Sequence, residues 1–157
     1  MAGPLTVDQS RAIPVATEDA FNRTLPLPLP TLFRHRYGPI PPIKMVRDQD
    51  GEWGTVGQSR TVMLVGGGSM REELTAVAPP RSFSYTLTEI AGPLAPLVSR
   101  VEGEWSFAPA GTGSTVTWRW TIHPRSRLTA PMLPVFGRLW RGYARRALEE
   151  LSKQLAG

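Results

Sequence analysis

The sequence predicts an α+β protein in which a curved antiparallel sheet of about six to seven strands packs against one long C-terminal helix. Three observations lead to this prediction: a long helical periodicity at the end of the chain, a series of short alternating segments before it, and a strand with two short helices near the N-terminus. Consecutive strands joined by tight turns form a sheet with one apolar face, and a helix has to cover that face.

The long helix is predicted over residues 130–157, where apolar residues recur at spacings of three and four. Its length, about 25 residues at about 1.5 Å each, matches the width of a small domain. Charged residues fall mostly on the other faces, and Arg145 with Glu149 and Arg146 with Glu150 are placed to pair along the surface. The predicted apolar stripe consists of Leu133, Phe136, Trp140, Ala144, Ala147, Leu148, Leu151 and Leu155.

The N-terminal part predicts a strand over residues 5–13 and a helix from Thr17, its expected N-cap, to Leu25. Six prolines then lie between Leu25 and Pro42. This segment is either a proline-rich motif for an SH3-type partner or a rigid apolar connection over the mouth of a pocket. The second interpretation is favoured because its leucines are costly to leave in water.

Six further strands are predicted between residues 43 and 122, over 44–48, 57–65, 69–77, 81–89, 99–107 and 114–122. Turn signals separate them, including Asp50-Gly51 and the three glycines 66–68. For the strand 57–65 the sequence does not determine which face points inward, because Val62 with Leu64 and Met63 with Val65 are equally apolar pairs.

Composition bounds the class of protein. The 157 residues are predicted to form a single domain over 1–157, with a net charge of +5 carried mostly by scattered arginines. We find no Lys/Arg run, no nucleic-acid motif, no apolar run of transmembrane length and no secretory signal, so neither a nucleic-acid partner nor a transmembrane segment is predicted. The lack of cysteine favours a cytoplasmic location.

Several short sequence motifs and their order along the chain resemble those of the START/Bet v 1-like (SRPBCC) superfamily, the polyketide cyclase/dehydrase and lipid-transport group. The resemblance covers nearly the whole chain, and the loop 36–42 departs from the family's usual phrase before the second strand. The matching residues are Ile13-Pro14 before the Thr17–Leu25 helix, Val56-Gly57 with Arg60, Glu73 through Ala78-Pro79-Pro80-Arg81, Gly103-Glu104-Trp105-Ser106-Phe107, Gly113-Ser114-Thr115-Val116-Thr117 and the final helix.

This resemblance implies a helix-grip fold, in which the sheet wraps the C-terminal helix and leaves an internal cavity. Members of the superfamily bind lipids, sterols, polyketides or other hydrophobic molecules, and some catalyse cyclisation or dehydration. The candidate ligand-binding residues are the aromatic side chains of the apolar faces: Phe83, Tyr85, Trp105, Phe107, Trp118, Trp120, Phe136 and Trp140. The alternative interpretation is that these side chains only fill the core.

Candidate catalytic residues are few. Tyr85 is the best polar anchor, and Arg60 and His35 are further acid–base candidates, with His35 flanked by Arg34 and Arg36. His123 is predicted on the exposed outer face, as is an ion pair between Glu104 and Arg119. The spacing of His and carboxylate residues predicts no metal site, and no cofactor is predicted.

Three functions are consistent with the sequence. The leading hypothesis is a carrier or sensor that binds a hydrophobic small molecule in the cavity, and the alternative is a polyketide cyclase/dehydratase acting in the same cavity. The third is a macromolecular interaction module that uses the Arg138, Arg141 and Arg145 surface. The identity of the ligand and the oligomeric state stay open.

Overall fold

The structure, a computed structural model, describes residues 3–49 and 51–157. Its strands are β1 (Leu5–Ile13), β2 (Ile43–Arg47), β3 (Ser59–Leu64), β4 (Ser69–Ala78), β5 (Ser82–Ala91), β6 (Val98–Ala110) and β7 (Gly113–Pro124). Its helices are α1 (Thr17–Thr24), α2 (Leu29–Leu32) and α3 (Leu133–Ala156), with a 3₁₀ turn at Ala130–Met132 leading into α3.

The seven strands form one antiparallel sheet in the order β1-β7-β6-β5-β4-β3-β2. Register shifts in β2, β4 and β6 mark bulges, which bend strands and increase their twist. The long helix α3 packs into the curve of this sheet, chiefly against β1. The predicted α+β helix-grip architecture is therefore confirmed, with two short helices between β1 and β2.

The core lies between the sheet and α3. The inward residues of β5, β6 and β7 are buried as their alternation predicts, because successive side chains of a strand point to opposite faces. Trp140 of α3 packs on Trp118 with ring centroids 4.8 Å apart, and Phe136 stacks on Trp120 at 6.5 Å. The helix and the sheet thus meet through aromatic rings.

The start of α1 differs from the prediction. The N-cap is Ala16, not Thr17, and no side chain caps the helix. Glu18 and Asp19 lie in the first turn, where their negative charge suits the positive end of the helix dipole. The helix therefore begins without the side-chain hydrogen bond that a threonine N-cap supplies.

The outer face of the sheet carries the predicted ion pair. Arg119 Nη1 lies 3.4 Å from Glu104 Oε1, and its Nε lies 3.6 Å from Asp8 Oδ2. All three side chains are at least one-third exposed, so this network contributes little to stability. His123 also lies on this face but is only partly exposed, because its ring contacts Glu102.

The connection between β2 and β3 is longer than a tight hairpin turn, and one ion pair on α3 differs from the expected one. The chain between β2 and β3 spans residues 48–58, and the turn predicted at Asp50-Gly51 includes Asp50, which lies outside the described residues. On α3, Glu150 is buried and pairs with Arg34 and His35 of an earlier loop, at 3.3 and 3.5 Å, instead of with Arg146.

Across residues 3–49 and 51–157, every helix is too short or too polar to span a bilayer.

Candidate functional site

A cavity of about 470 Å³ lies between the inner face of the sheet and α3. Strands β3 to β7 supply one wall, α3 supplies the opposite wall, and residues 25–43 supply a third. Its volume falls in the range of small-molecule sites, about 300–1,000 Å³. Most of its surface is apolar, with a few polar side chains facing it.

Seven of the eight predicted ligand-binding residues line this cavity: Phe83, Tyr85, Trp105, Trp118, Trp120, Phe136 and Trp140. The eighth, Phe107, does not line it. Its ring packs instead against Phe21 of α1 and Phe83, at centroid distances of 5.5 and 6.1 Å. Phe107 lies on the inner face of the sheet, as the alternation predicts, but α1 covers that end of the sheet and separates Phe107 from the cavity.

Tyr85 is the centre of a polar cluster in the cavity wall. Its phenol oxygen accepts hydrogen bonds from Trp118 Nε1 at 2.7 Å and from Trp120 Nε1 at 2.9 Å. Burial, together with the nearby negative charge of Glu72, raises the pKa of the Tyr85 phenol far above its usual value. The phenol is therefore neutral at physiological pH.

Gly103 makes room for the Tyr85 ring. The two residues are paired across β5 and β6, and a Cβ atom added to Gly103 would lie 2.1 Å from Tyr85 Cζ. The ring thus lies directly on the glycine backbone. A glycine inside a strand often marks such a close approach.

A buried ion pair lies in the same wall. Arg60 Nε donates to Glu72 Oε1 at 2.9 Å, and both side chains are about 95% buried. The Arg60 guanidinium also stacks over the Trp53 ring at 3.8 Å and donates to Gln49 Oε1 at 3.2 Å. Burial raises the pKa of the Glu72 carboxyl, although Arg60 opposes that shift.

His35 does not join this cluster. Its side chain is 42% exposed and lies 3.5 Å from Glu150 of α3, away from the cavity wall. The structure therefore brings together two of the three candidate catalytic residues, Tyr85 and Arg60. The role of His35 as a base inside the cavity has no geometric support.

The proline-rich segment, residues 26–42, forms part of the cavity wall, as the pocket-mouth interpretation predicts. Tyr37 anchors it to α3, because its ring lies on Gly142 so closely that an added Cβ would be 2.0 Å from Tyr37 Cζ. Backbone hydrogen bonds between Tyr37 and Ile40 close the tight turn beside this contact. The segment thus covers the cavity from the side of the helix.

Glu72 and Tyr143 are among the cavity residues that the sequence does not predict as site residues. Met70, Glu72 and Leu74 alternate along the inward face of β4. A carboxylate among apolar residues on that face is the sequence signal that identifies Glu72 as a cavity residue. Tyr143 of α3 stacks on Phe33 at 5.8 Å and faces the cavity from the helix side. In the part of the chain that the structure describes, no cluster of three or more His, Asp or Glu residues is arranged to hold a metal ion.

Fold and cavity together define a helix-grip protein with an internal, mostly apolar site. The chain belongs to the polyketide cyclase/dehydrase and lipid transport family, whose sequence model matches residues 4–156. This match confirms the superfamily resemblance that the sequence suggests. No curated protein matches the sequence significantly.

Solved structures are similar over nearly the whole chain. Ara h 8.0201 is 15% identical with a TM-score of 0.65, covering 98% of this chain and 99% of that chain. Major latex-like protein 151 from Panax ginseng is 13% identical with a TM-score of 0.71, covering 97% of each chain. A protein from Nitrosospira multiformis is 16% identical with a TM-score of 0.67, covering 96% of each chain. At such low identities this likeness shows the fold alone.

Proposed function

We propose that the protein binds a hydrophobic small molecule in the cavity between the sheet and α3, as a carrier or sensor. The observation that carries this proposal is a cavity of about 470 Å³ whose wall is mostly aromatic and aliphatic. Transfer of apolar ligand surface from water into such a wall is favourable by about 25 cal/mol per Å². The cytoplasmic location and the lack of a nucleic-acid partner remain predictions.

Binding can be tested with N-phenyl-1-naphthylamine, a neutral dye that fluoresces strongly in apolar surroundings. We expect saturable binding of one dye molecule per chain. The Leu87→Trp variant places a larger side chain in the cavity, because Leu87 is buried and lines it. Its affinity for the dye should fall by about tenfold or more, equivalent to about 1.4 kcal/mol.

The matched control is Thr88→Trp, which adds the same side chain to the outer face of the same strand. Its dye affinity should equal that of the wild type, and thermal melts of both variants establish that they fold. Equal dye affinity of Leu87→Trp and the wild type would place the dye outside the cavity and contradict the proposal.

A second candidate function is acid–base catalysis of the cyclase/dehydratase kind in the same cavity. The observation that favours it is the presence of Glu72 and Tyr85 in one wall, with the pKa of Glu72 raised by burial. A carboxylate with a raised pKa is a stronger base, and a neutral phenol can hydrogen-bond to an enolate oxygen. Glu72 would thus remove a proton from the carbon next to a ketone, and Tyr85 would hydrogen-bond to the ketone oxygen.

This candidate predicts proton exchange at a carbon next to a carbonyl. In D₂O, the CH₂ signals of 1,3-diphenylacetone should decay faster with protein than in buffer: Glu72 removes the proton and solvent supplies deuterium. Glu72→Gln should return the rate to the buffer value, since an amide is not a base at this pH. A wild-type rate equal to that in buffer leaves the carrier function as the better description.

A further inference from the structure

We propose that Tyr85 is a compulsory hydrogen-bond donor to the ligand, and that the ligand is a neutral, mostly apolar molecule carrying a carbonyl-type acceptor oxygen. This inference rests on the proposed binding function and names the chemical class of the molecule bound. It follows from the hydrogen bonds of Tyr85 and from the balance of charges in the cavity wall.

The two indole groups fix the direction of the Tyr85 hydrogen bond. A phenol oxygen has one O–H to donate and two lone pairs to accept with. Trp118 and Trp120 each donate an N–H to this oxygen, so both lone pairs are occupied. Among the described residues no acceptor receives the Tyr85 O–H, which leaves donation to a ligand as the one hydrogen bond still to be made.

The accepted bonds also strengthen this donor. An oxygen that accepts hydrogen bonds polarises its own O–H, so linked hydrogen bonds reinforce one another in a low-dielectric interior. A hydrocarbon that displaced water from this position would leave the O–H buried and unpaired. An unpaired buried donor typically lowers affinity by tenfold or more.

Charge in the cavity wall argues for a neutral ligand. Arg60 and Glu72 are paired at 2.9 Å and their formal charges cancel. Of the other described residues that line the cavity, the single charged one is Arg36, which is exposed at the rim. A ligand carboxylate would compete with Glu72 for Arg60 and lie close to a second buried negative charge, which is unfavourable.

Other polar groups of the wall are less constrained. Thr24 and Trp140 also line the cavity, and the Thr24 hydroxyl and the Trp140 N–H lack partners among the described residues, but both atoms are inaccessible to solvent. Tyr143 lines the cavity, yet no described residue accepts from or donates to its phenol, so its role as donor or acceptor is not fixed. Tyr85 is the group whose role its neighbours determine.

Three probes with the same two phenyl rings test the inference. Benzophenone carries a carbonyl, diphenylmethane carries a CH₂ in its place, and diphenylacetate carries a carboxylate. Their affinities are measured by displacement of N-phenyl-1-naphthylamine from the wild type, Tyr85→Phe and Tyr143→Phe. Tyr143→Phe is the matched control, because it removes a second phenol from the same cavity.

The preference for benzophenone over diphenylmethane should be about tenfold smaller in Tyr85→Phe than in the wild type. It should be unchanged in Tyr143→Phe, and diphenylacetate should bind the wild type more weakly than benzophenone. The carbonyl stretch of bound benzophenone should shift to lower frequency in the wild type and lose this shift in Tyr85→Phe.

The outcomes separate the two proposals. Failure of the dye and of all three probes to bind the wild type overturns the proposed function itself. Binding with an equal ketone preference in Tyr85→Phe overturns only the role of Tyr85. The same holds if the carbonyl shift persists in that variant, because the Trp118 and Trp120 N–H groups would then be the donors. A melt of Tyr85→Phe establishes that it is folded at the assay temperature.

Discussion

Arg60→Met is expected to destabilise the folded protein by about 3–5 kcal/mol, because it leaves the Glu72 carboxylate buried without its partner. Methionine keeps much of the length and the apolar character of the arginine stem, so packing changes little. The variant also loses the stacking of the guanidinium on Trp53 and the hydrogen bond to Gln49. Urea unfolding at neutral pH measures the loss.

The double variant Arg60→Met/Glu72→Leu is the control. Removal of both buried charges should recover most of the lost stability, since a well-packed apolar pair is often as stable as a buried ion pair. If the free energy of unfolding of Arg60→Met lies within about 1 kcal/mol of the wild-type value, the ion pair is not the buried, mutually dependent pair that the structure shows.

The stability of Arg60→Met is also expected to depend on pH. Without Arg60, the pKa of Glu72 in the folded protein should rise further, since burial raises it and the arginine opposes that rise. A raised folded pKa means that the folded state holds the proton more tightly than the unfolded chain, in which the ordinary value is 4.5. The stability deficit of Arg60→Met should therefore be small below that value and grow as the pH rises above it.

Gly103→Ala is expected to destabilise the protein by about 2–4 kcal/mol and to weaken ligand binding. The new Cβ would lie 2.1 Å from Tyr85 Cζ and 2.4 Å from its hydroxyl oxygen, so the ring has to move. Movement of the ring breaks the hydrogen bonds from Trp118 and Trp120, and two buried indole N–H groups lose their acceptor. Thermal melts and dye titration measure the two effects.

Gly54→Ala is the matched control, because its Cβ would meet only a leucine methyl at an ordinary 3.8 Å. We expect it to change stability by less than about 1 kcal/mol. In a Tyr85→Val background the clash is gone, so Gly103→Ala should cost much less there. Equal costs in the two backgrounds would show that the glycine is not needed for the Tyr85 ring.

Much of the fold follows from the sequence because its strands alternate cleanly. Over 83–87 in β5, 101–107 in β6 and 114–122 in β7 the inward residues occupy every second position, and this pattern separates the buried face from the exposed one. For the same reason the five aromatic candidates of these strands, Phe83, Tyr85, Trp105, Trp118 and Trp120, line the cavity. The periodicity of the final helix likewise predicts its length and its buried stripe.

Other features depend on contacts between distant parts of the chain. Phe107 has the right parity, but the sequence does not show that Phe21 of α1 covers it. Residue spacing along α3 favours Arg146 as the partner of Glu150, whereas the fold brings Arg34 and His35 to that carboxylate. The alternation of β4 places Glu72 on the inward face, but its partner Arg60 lies on another strand, so the buried ion pair follows only from the pairing of β3 with β4.

The cover formed by residues 26–42 has a consequence for the strength of the proposed binding. Six of these residues are prolines, so the segment has few amide N–H groups to satisfy when it lies against an apolar interior. Proline also restricts the segment before the chain folds, so ordering it over the cavity costs little conformational freedom. The proposed ligand would therefore lie under a largely preordered cover, and more of its burial energy would be retained as affinity.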